Sequence, residues 1–558
     1  MSDEPATGRV FGIDLGTTYS AIAYLDETGR PTVCRNGDSM ETTPSVVLFE
    51  TADNVVVGQL AKDSAVLDPN NVVSLIKRRM GEDFPLSFHG TDQTPESISS
   101  FILRALASDA AKQTGSAVEK VVITVPAYFG AKQKDATMKG GLIAGLDVIG
   151  VVPEPVAAAL HYGTTAGGGE RTILVYDLGG GTFDTTVIRV GADEITVLVT
   201  DGATDLGGAD WDAQLTDLLL ERFAAQADVT GSPEDDPEFL QDLANRVEAL
   251  KKSLSKSASR PATLAFEGAS ARIDVSRADF EAKTKSLLDR SIEIVKRTLE
   301  KLEKKAPGTT IDDVLLVGGS THMPMVTERL VAEFGWTPKL HDPDLAVAKG
   351  AAIFGLSRVM WQMQQEVLEQ AATPAEGAVE AEKVVQEVAR QFGMSETAAV
   401  EMAKRPPTSV LSKAFGVRLQ RSPSDATEYV KHLAFADDAL PTGPRKLTGL
   451  TVHHEQTSVE VALFEQAGTV ASEDLSANVA LSDGVGVISG IPPQTQAEFA
   501  QAPRAVDIVM EIDEDGLLQL SATEQSTGKN LRISVKIGLS AEAVDEARQA
   551  SSKITVSS

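Results

Sequence analysis

The chain has 558 residues, 42% of them hydrophobic and 23% charged, so it exceeds a single hydrophobic core and reads as two or more soluble globular domains. A net charge of −29 argues against broad binding to nucleic acid or to an anionic membrane. One cysteine, Cys34, rules out an intrachain disulfide framework and fits a reducing compartment, where it reads as a half-buried strand thiol.

The amino-terminal stretch MSDEPATGR lacks the apolar core of a secretory leader. No stretch reaches the ~20 apolar residues of a membrane helix, and the expected location is cytoplasmic. From residue 9 to about residue 360, strand and helix patterns alternate. An apolar β-type run enters Gly12-Ile13-Asp14-Leu15-Gly16-Thr17-Thr18-Tyr19, and a second run, Ser20 to Leu25, leaves it. The pattern predicts a hairpin whose tip carries an Asp, then Gly, then hydroxyls. A buried strand (Lys120 to Pro126), a helix (about Ala131 to Ala144) and a strand (Val148 to Val152) follow. Pro153-Glu154-Pro155 opens an Ala-rich helix at Val156, and residues 163–169 form a glycine-rich loop.

The first turn then recurs. Val175-Tyr176-Asp177-Leu178 enters Gly179-Gly180-Gly181-Thr182-Phe183-Asp184, and Thr185 to Val190 leaves it. Glycine lets backbone N–H groups approach a ligand closely, and successive N–H groups in such a turn form a concavity for anions. Asp at the strand end can hold the water shell of Mg²⁺, and Thr hydroxyls add hydrogen bonds to phosphate. Each turn taken alone is also compatible with a simple tight hairpin. The chain contains no GxxxxGK[ST], so it is not a P-loop protein. Farther on, a long helix runs from Asp279 to Lys305, and Val314 to Val317 enters a third glycine motif, Gly318-Gly319-Ser320-Thr321-His322, before another helix.

Residues 361–408 are rich in Gln, Glu and Ala and read as an acidic helical connector or hairpin, with a disordered linker as the competing reading. From Ser409 to Ile537 the period changes to 2: Val459, Val461 and Leu463, or Ile508, Met510 and Ile512, alternate with more polar neighbours. Asp513-Glu-Asp-Gly516 and Ser526-Thr-Gly-Lys529 are turns between the last runs. This is an antiparallel β domain with one buried face. A helical stretch from Ser540 to about Ala550 leads into the end of the sequence, and 541–558 reads as a short helical or disordered tail.

The set Gly12-Ile-Asp-Leu-Gly-Thr-Thr-Tyr-Ser20, Thr42-Thr-Pro-Ser45, Val125-Pro-Ala-Tyr-Phe129, Asp177 to Asp184, Leu206-Gly-Gly208 and Val317-Gly-Gly-Ser-Thr321 resembles DnaK-type chaperones of the 70-kDa heat-shock family. Leu440-Pro-Thr442, Ile491-Pro-Pro493 and Ile512 to Gly516 extend the resemblance into the β domain. It implies an actin-like α/β ATPase domain over residues 1–360, with two lobes built on duplicated ribonuclease-H-like cores. The 361–408 connector, a mainly antiparallel β-sandwich at 409–540 and the 541–558 tail would follow, with no helical lid.

The resemblance also implies roles. Gly16, Thr17, Thr18 and Tyr19 from one lobe, and Gly179, Gly180, Gly181 and Thr182 from the other, would cradle the β- and γ-phosphates of ATP. Asp14, Glu154 and Asp177 would hold hydrated Mg²⁺, and K⁺ is a further candidate ion. Lys77 would reach the γ-phosphate and the attacking water, and Asp184 would position that water. Gly207 and Gly208, Glu248, Lys251, Lys252 and Ser255, with Gly318, Gly319, Ser320, His322 and Asp344, would form the nucleoside pocket for ATP and ADP. Val459 and Val461 would line a peptide groove. Without the family, Lys77 and the charges at 248–255 read as helix surface, Glu154 as part of a turn, and the two valines as core.

Four departures stand out. His322 and Lys252 occupy positions where many members carry Arg. Met402 to Thr408 replaces an apolar interdomain linker. Gly150 and Pro153 replace an Arg and an Asn on a surface tied to linker and J-domain docking. Neither a lid nor an acidic co-chaperone tail is expected. The expected function is an ATP-hydrolysing chaperone for exposed apolar segments of client polypeptides, with a J-domain protein and a nucleotide-exchange factor as candidate partners and neither nucleic acid nor membrane. The alternative is a nucleotide-gated adaptor with one dedicated client. A sugar kinase or filament protein is disfavoured by the β domain.

Overall fold

The computed structural model describes residues 9–165, 170–191, 195–227, 229, 231–371, 373–391, 395–403, 411, 413–422, 425–436, 438–467, 471–513, 518–535 and 541–558. In it the first turn joins the antiparallel strands Val10–Asp14 and Tyr19–Leu25. Pro31–Val33 extends this sheet beyond Tyr19–Leu25, while Lys120–Val125 and then Asp147–Pro153 extend it in parallel beyond Val10–Asp14. The second turn repeats the design. Arg171–Leu178, Phe183–Val190 and Ile195–Ala203 form an antiparallel meander, and Asp313–Val317 and Lys339–Leu340 add in parallel to Arg171–Leu178. The two sheets thus share one strand order and one set of strand directions.

Both central strands are near-continuous apolar runs because both of their faces are covered. Phe11, Ile13, Leu174, Tyr176 and Leu178 are all buried. A strand of that kind needs helices on either side of its sheet. The long helices Ala346–Gln370 and Glu154–Thr165 pack together, and the former also lies on the Val10–Asp14 strand. Gly208–Gln226, Pro237–Leu254 and Arg277–Lys305 bury Trp211, Leu215, Val247, Leu250, Ile292 and Val295 in one core with the second sheet. Cys34 lies just past the Pro31–Val33 strand and is fully buried rather than half-buried, and burial pushes its thiol up to about 12.

Helix Ala346–Gln370 runs well past residue 361. Pro374–Gln391 then returns antiparallel along it, with Gln364 bonded to the Ala381 carbonyl and Gly377 against Leu368. Val385, Val388 and Ala389, with Ala399 of the helix Glu396–Met402, bury against Leu356 and Met360. Of the 361–408 segment, residues 361–371, 373–391 and 395–403 are therefore largely helical. Residues 404–408 of the Met402–Thr408 linker position lie outside the described residues, as do 166–169 of the glycine-rich loop and 514–516 of the Asp513–Gly516 turn.

The chain divides into two units. One contains Met1–Tyr128, Ala136–Pro407 and Ala541–Ser558, and the other contains Phe129–Asp135 and Thr408–Ser540. Among the described residues, the second unit holds two four-stranded antiparallel sheets. One orders Asp425–Ala434, Phe415–Ser422, Ser458–Gln466 and Asn478–Ser489, and the other Arg445–Thr451, Ala505–Ile512, Leu518–Glu524 and Asn530–Val535. Their alternating inward residues, among them Val417, Leu463, Leu481, Ile508, Met510 and Leu520, make one core.

The segment 541–558, expected as a short helical or disordered tail, is a helix, Ala541–Ser552, followed by a strand, Thr555–Ser557, in a sheet of the first unit. The reason is local alternation: Ile554 is buried and Val556 half-buried, while Thr555 and Ser557 face outward. Among the described residues, no helix is long and apolar enough to cross a membrane.

Candidate functional site: two hairpin tips over a buried charge cluster

The tips of the two repeated hairpins meet. A Cβ built on Gly180 would lie 2.1 Å from the Thr18 hydroxyl, and one on Gly181 would lie 2.4 Å from the Thr17 methyl. Only glycine permits that approach. Gly181→Ala therefore drives a methyl into Thr17. We expect a cost of about 1–3 kcal/mol, measured as a fall in the denaturant midpoint of the first unit. Each tip is also tied down from below. The Ser45 hydroxyl bonds to the Gly16 carbonyl at 2.8 Å, and the Gly16 N–H donates to Ser20 at 3.1 Å. On the other side the Gly208 and Ala209 N–H groups, opening a helix, donate to the Gly179 and Gly180 carbonyls at 2.9 and 2.8 Å. Ser320 Oγ donates to the Gly179 carbonyl at 2.9 Å.

Beneath the tips lies a cluster of carboxylates with one lysine. The hairpin register sets Asp177 directly opposite Asp184, a like-charge pair that costs stability. Asp177, Asp184 and Glu154 are buried and Asp14 is half-buried. The Lys77 ammonium, also buried, bonds to Glu154 at 2.6 Å. Its place depends on the short turn Ile76–Arg79, entered through Leu75 at φ 57°. Burial, then the negative charge of Glu154, raises Asp14 to about 7, against the opposing pull of Lys77 and of the Thr124 hydroxyl, which donates at 3.0 Å. The same two causes, in the same order, hold Asp177 and Asp184 well above the usual carboxylate range. Asp184 accepts the Tyr128 N–H at 3.0 Å. One Asp177 carboxylate oxygen is buried without a hydrogen-bond partner. A buried acceptor of this kind, in a set of hard oxygen donors with excess negative charge, fits a divalent cation.

A second polar group joins the Pro237–Leu254 helix to the first hairpin tip. Glu248 and Lys252, from the helix Pro237–Leu254, meet Tyr19 and Lys62 from the other side. Lys62 pairs with Glu248, Lys252 reaches Glu248 at 2.6 Å and the Tyr19 hydroxyl at 2.9 Å, and Tyr19 donates to Glu248 at 2.8 Å. Burial works to raise the Glu248 carboxyl, but Lys62 and Lys252 outweigh it and hold it at about 2. Lys251 instead points inward, to the Gly208 carbonyl at 2.9 Å and Asp212 at 2.7 Å. Ser255 ends the same helix, in a shallow recess with Arg277, Glu281 and Met323. His322 and Asp344 pair at 3.1 Å, half-exposed, and Asp344 lies against Gly319.

The structure therefore brings together Asp14, Lys77, Glu154, Asp177 and Asp184 beneath the Gly16–Tyr19 and Gly179–Thr182 tips. Gly207, Gly208, Lys251, Gly318 and Ser320 back the second tip, Glu248 and Lys252 close over the first, and Ser255, His322 and Asp344 lie by elements packed with the second sheet. It does not give Val459 and Val461 a free face. Val461 is buried and Val459 is half-buried against the core of the second unit, because their period-2 spacing points both inward. Among the described residues, Val479, Val485 and Val487 are exposed apolar side chains on the neighbouring strand.

Sequence reasoning missed several partners. Arg78 bonds to the Gly181 carbonyl at 3.0 Å and to Asp210 at 2.5 Å, and Asp210 accepts the Gly207 N–H at 2.7 Å. Its only signal was adjacency to Lys77. Lys62, Thr124 and Asp212 carried none, since each acts through a partner distant in sequence. Gly150, at a position of departure, has the Arg358 guanidinium over it, 3.2 Å from where a Cβ would stand.

A duplicated sheet thus sets two hairpin tips face to face over a buried charge cluster. The model of the Hsp70 protein family matches residues 10–92 and 85–368, and the chain belongs to that family. It is 34% identical to the chaperone protein DnaK of Thermotoga maritima, over 93% of this chain and 79% of that protein. It is 33% identical to that of Thermosipho melanesiensis over the same shares, and 34% identical to that of Halobacterium salinarum over 98% of this chain and 78% of the relative.

Proposed function

We propose that the chain is an ATP-dependent chaperone: it binds and hydrolyses ATP in the cleft of an actin-like first unit, and binds exposed apolar segments of unfolded polypeptides through the sandwich. The observation that carries this reading is the convergence of two glycine tips on one buried cluster of four carboxylates and a lysine. Membership of the Hsp70 family and relatives named chaperone protein DnaK support it.

The N–H groups and hydroxyls of Gly16–Tyr19 and Gly179–Thr182 receive the β- and γ-phosphates. Asp14, Asp177 and Glu154 would hold Mg²⁺, which would supply charge neutralisation at the phosphate oxygens. The Lys77 ammonium hydrogen-bonds the γ-phosphate and the attacking water. Asp184, fixed by the Tyr128 N–H, orients that water in line with the γ-phosphorus. Positioning and charge stabilisation are most of what phosphoryl transfer requires. Glu248, Lys251, Lys252 and Ser255, with Gly318, Gly319, Ser320, His322 and Asp344, enclose ribose and adenine. An imidazole at His322 stacks with less cation–π attraction than an arginine guanidinium.

Val485 and Val487 offer apolar surface for a client segment. The test is ATPase rate with and without an apolar peptide and a J-domain protein: stimulation by both is expected, and a rate indifferent to both contradicts coupling. The Lys62–Glu248 pair joins the lobes across the mouth, so Lys62→Ala speeds ADP release. Loss of a partly exposed pair, worth ~1 kcal/mol, gives roughly a fivefold faster release in stopped flow, a gap that shrinks at high salt.

A further inference from the structure

The Asn54–Val57 strand is covered by the chain's own last described residues. Thr555, Val556 and Ser557 pair in parallel with Asn54, Val55 and Val56, extending the sheet that continues through Val47–Phe49 to Val72–Val73. The Thr555 N–H donates to the Asp53 carbonyl at 2.9 Å. Ile554 is buried in the core of the first lobe, and Val556 packs at its margin. The helix that carries Arg104, Pro95–Thr114, lies beneath. The Arg104 guanidinium donates to the Ser551 carbonyl at 2.7 Å and the Ile554 carbonyl at 2.9 Å. Ser551 is itself buried, and the Ser558 hydroxyl reaches Asp109 at 3.1 Å.

We propose that the Asn54–Val57 edge, the Ile554 socket and Arg104 form a strand-addition site, filled in cis by residues 551–558. Its ligand class is an extended segment of alternating β-branched and small polar residues, entering parallel. Three features give it selectivity. Main-chain pairing supplies attraction without regard to side chains, and the period of 2 admits apolar groups only at alternate positions. Arg104 recognises the turn that precedes the strand, since its two donors meet carbonyls three residues apart. An uncovered edge would present unpaired N–H and C=O groups, so the tail also blunts an association hazard. The strand is short, held by three-residue pairing, the Ile554 socket, Arg104 and the Ser558–Asp109 bond. Ordering it costs entropy of the same order as those contacts return, so exchange with a competing segment is feasible.

The test compares the full chain with a chain lacking residues 553–558, using a labelled peptide of residues 551–558, Ser-Ser-Lys-Ile-Thr-Val-Ser-Ser. Saturable binding at least tenfold tighter to the shortened chain is expected, abolished by Ile→Asp in the peptide at the position of Ile554. Equal binding to both chains overturns the site. Should the shortened chain fail to fold, the full chain with Arg104→Ala decides. Amide exchange should rise together in 53–57 and 554–557, by tenfold or more, while Lys120–Val125 stays protected; unchanged exchange in both segments overturns the proposal. A monomeric full chain supports filling in cis, whereas a dimer that dissociates on removal of 553–558 contradicts it.

Discussion

Lys77→Ala lowers single-turnover ATP hydrolysis by about 10²-fold or more, while ATP affinity changes far less. Loss of one preorganised donor to developing charge is worth ~10²–10³ in rate, and Lys77 is held for that task by its 2.6 Å bond to Glu154. The same substitution removes the cation that lowers Asp14, Asp177 and Asp184 alike. The variant should therefore lose more thermal stability at pH 8 than at pH 5, because the carboxylates it leaves behind are then charged. Rapid-quench measurement of phosphate release, beside calorimetric titration of nucleotide, separates the catalytic effect from binding.

The second large effect is the pH dependence of the cluster itself. Asp14 is raised to about 7, first by burial and then by Glu154, whereas an unfolded Asp titrates near 4. Between those values the folded chain binds more protons than the unfolded one. The stabilisation is therefore full at low pH and is lost as pH rises through about 7. Asp177 and Asp184, raised by the same causes, act in the same direction. Without divalent cation, the melting temperature of the first unit should carry a component that falls from pH 5 to pH 8, and Mg²⁺ should offset it. Asp177→Asn removes one of the two facing carboxylates. It should raise the melting temperature at pH 8 by several degrees, on the scale of ~2–4 °C per kcal/mol, and flatten the slope. It should also abolish the tightening of nucleotide binding by Mg²⁺. Parallel pH series for the two proteins isolate this cluster from other titrating groups.

Much of the fold was legible because it is locally written. Each glycine turn sits between two β-type runs and forms a hairpin, and the structure places the two hairpins in sheets of the same strand order. The period of 2 after residue 409 marked antiparallel strands, such as Ala505–Ile512 paired with Leu518–Glu524. Contacts between segments distant in the chain were not legible. Arg78 with Asp210, and Lys62 with Glu248, look like ordinary surface charge until the fold joins them. The tail strand has only Ile554 and Val556 to mark it, and its partner strand lies about five hundred residues earlier. For Val459 and Val461 the residue pattern itself, a core-facing pair, describes where the structure puts them.

One measurement bears most directly on the central claim that the two tips and the carboxylate–lysine cluster form a single Mg²⁺·ATP site. It is a single-turnover assay with radiolabelled ATP, run on the full chain and on Lys77→Ala, with and without Mg²⁺. Mg²⁺-dependent release of phosphate by the full chain, and retention of intact ATP by the variant, are the expected results. No ATP bound at millimolar Mg²⁺, or hydrolysis by the variant at the rate of the full chain, would contradict that claim.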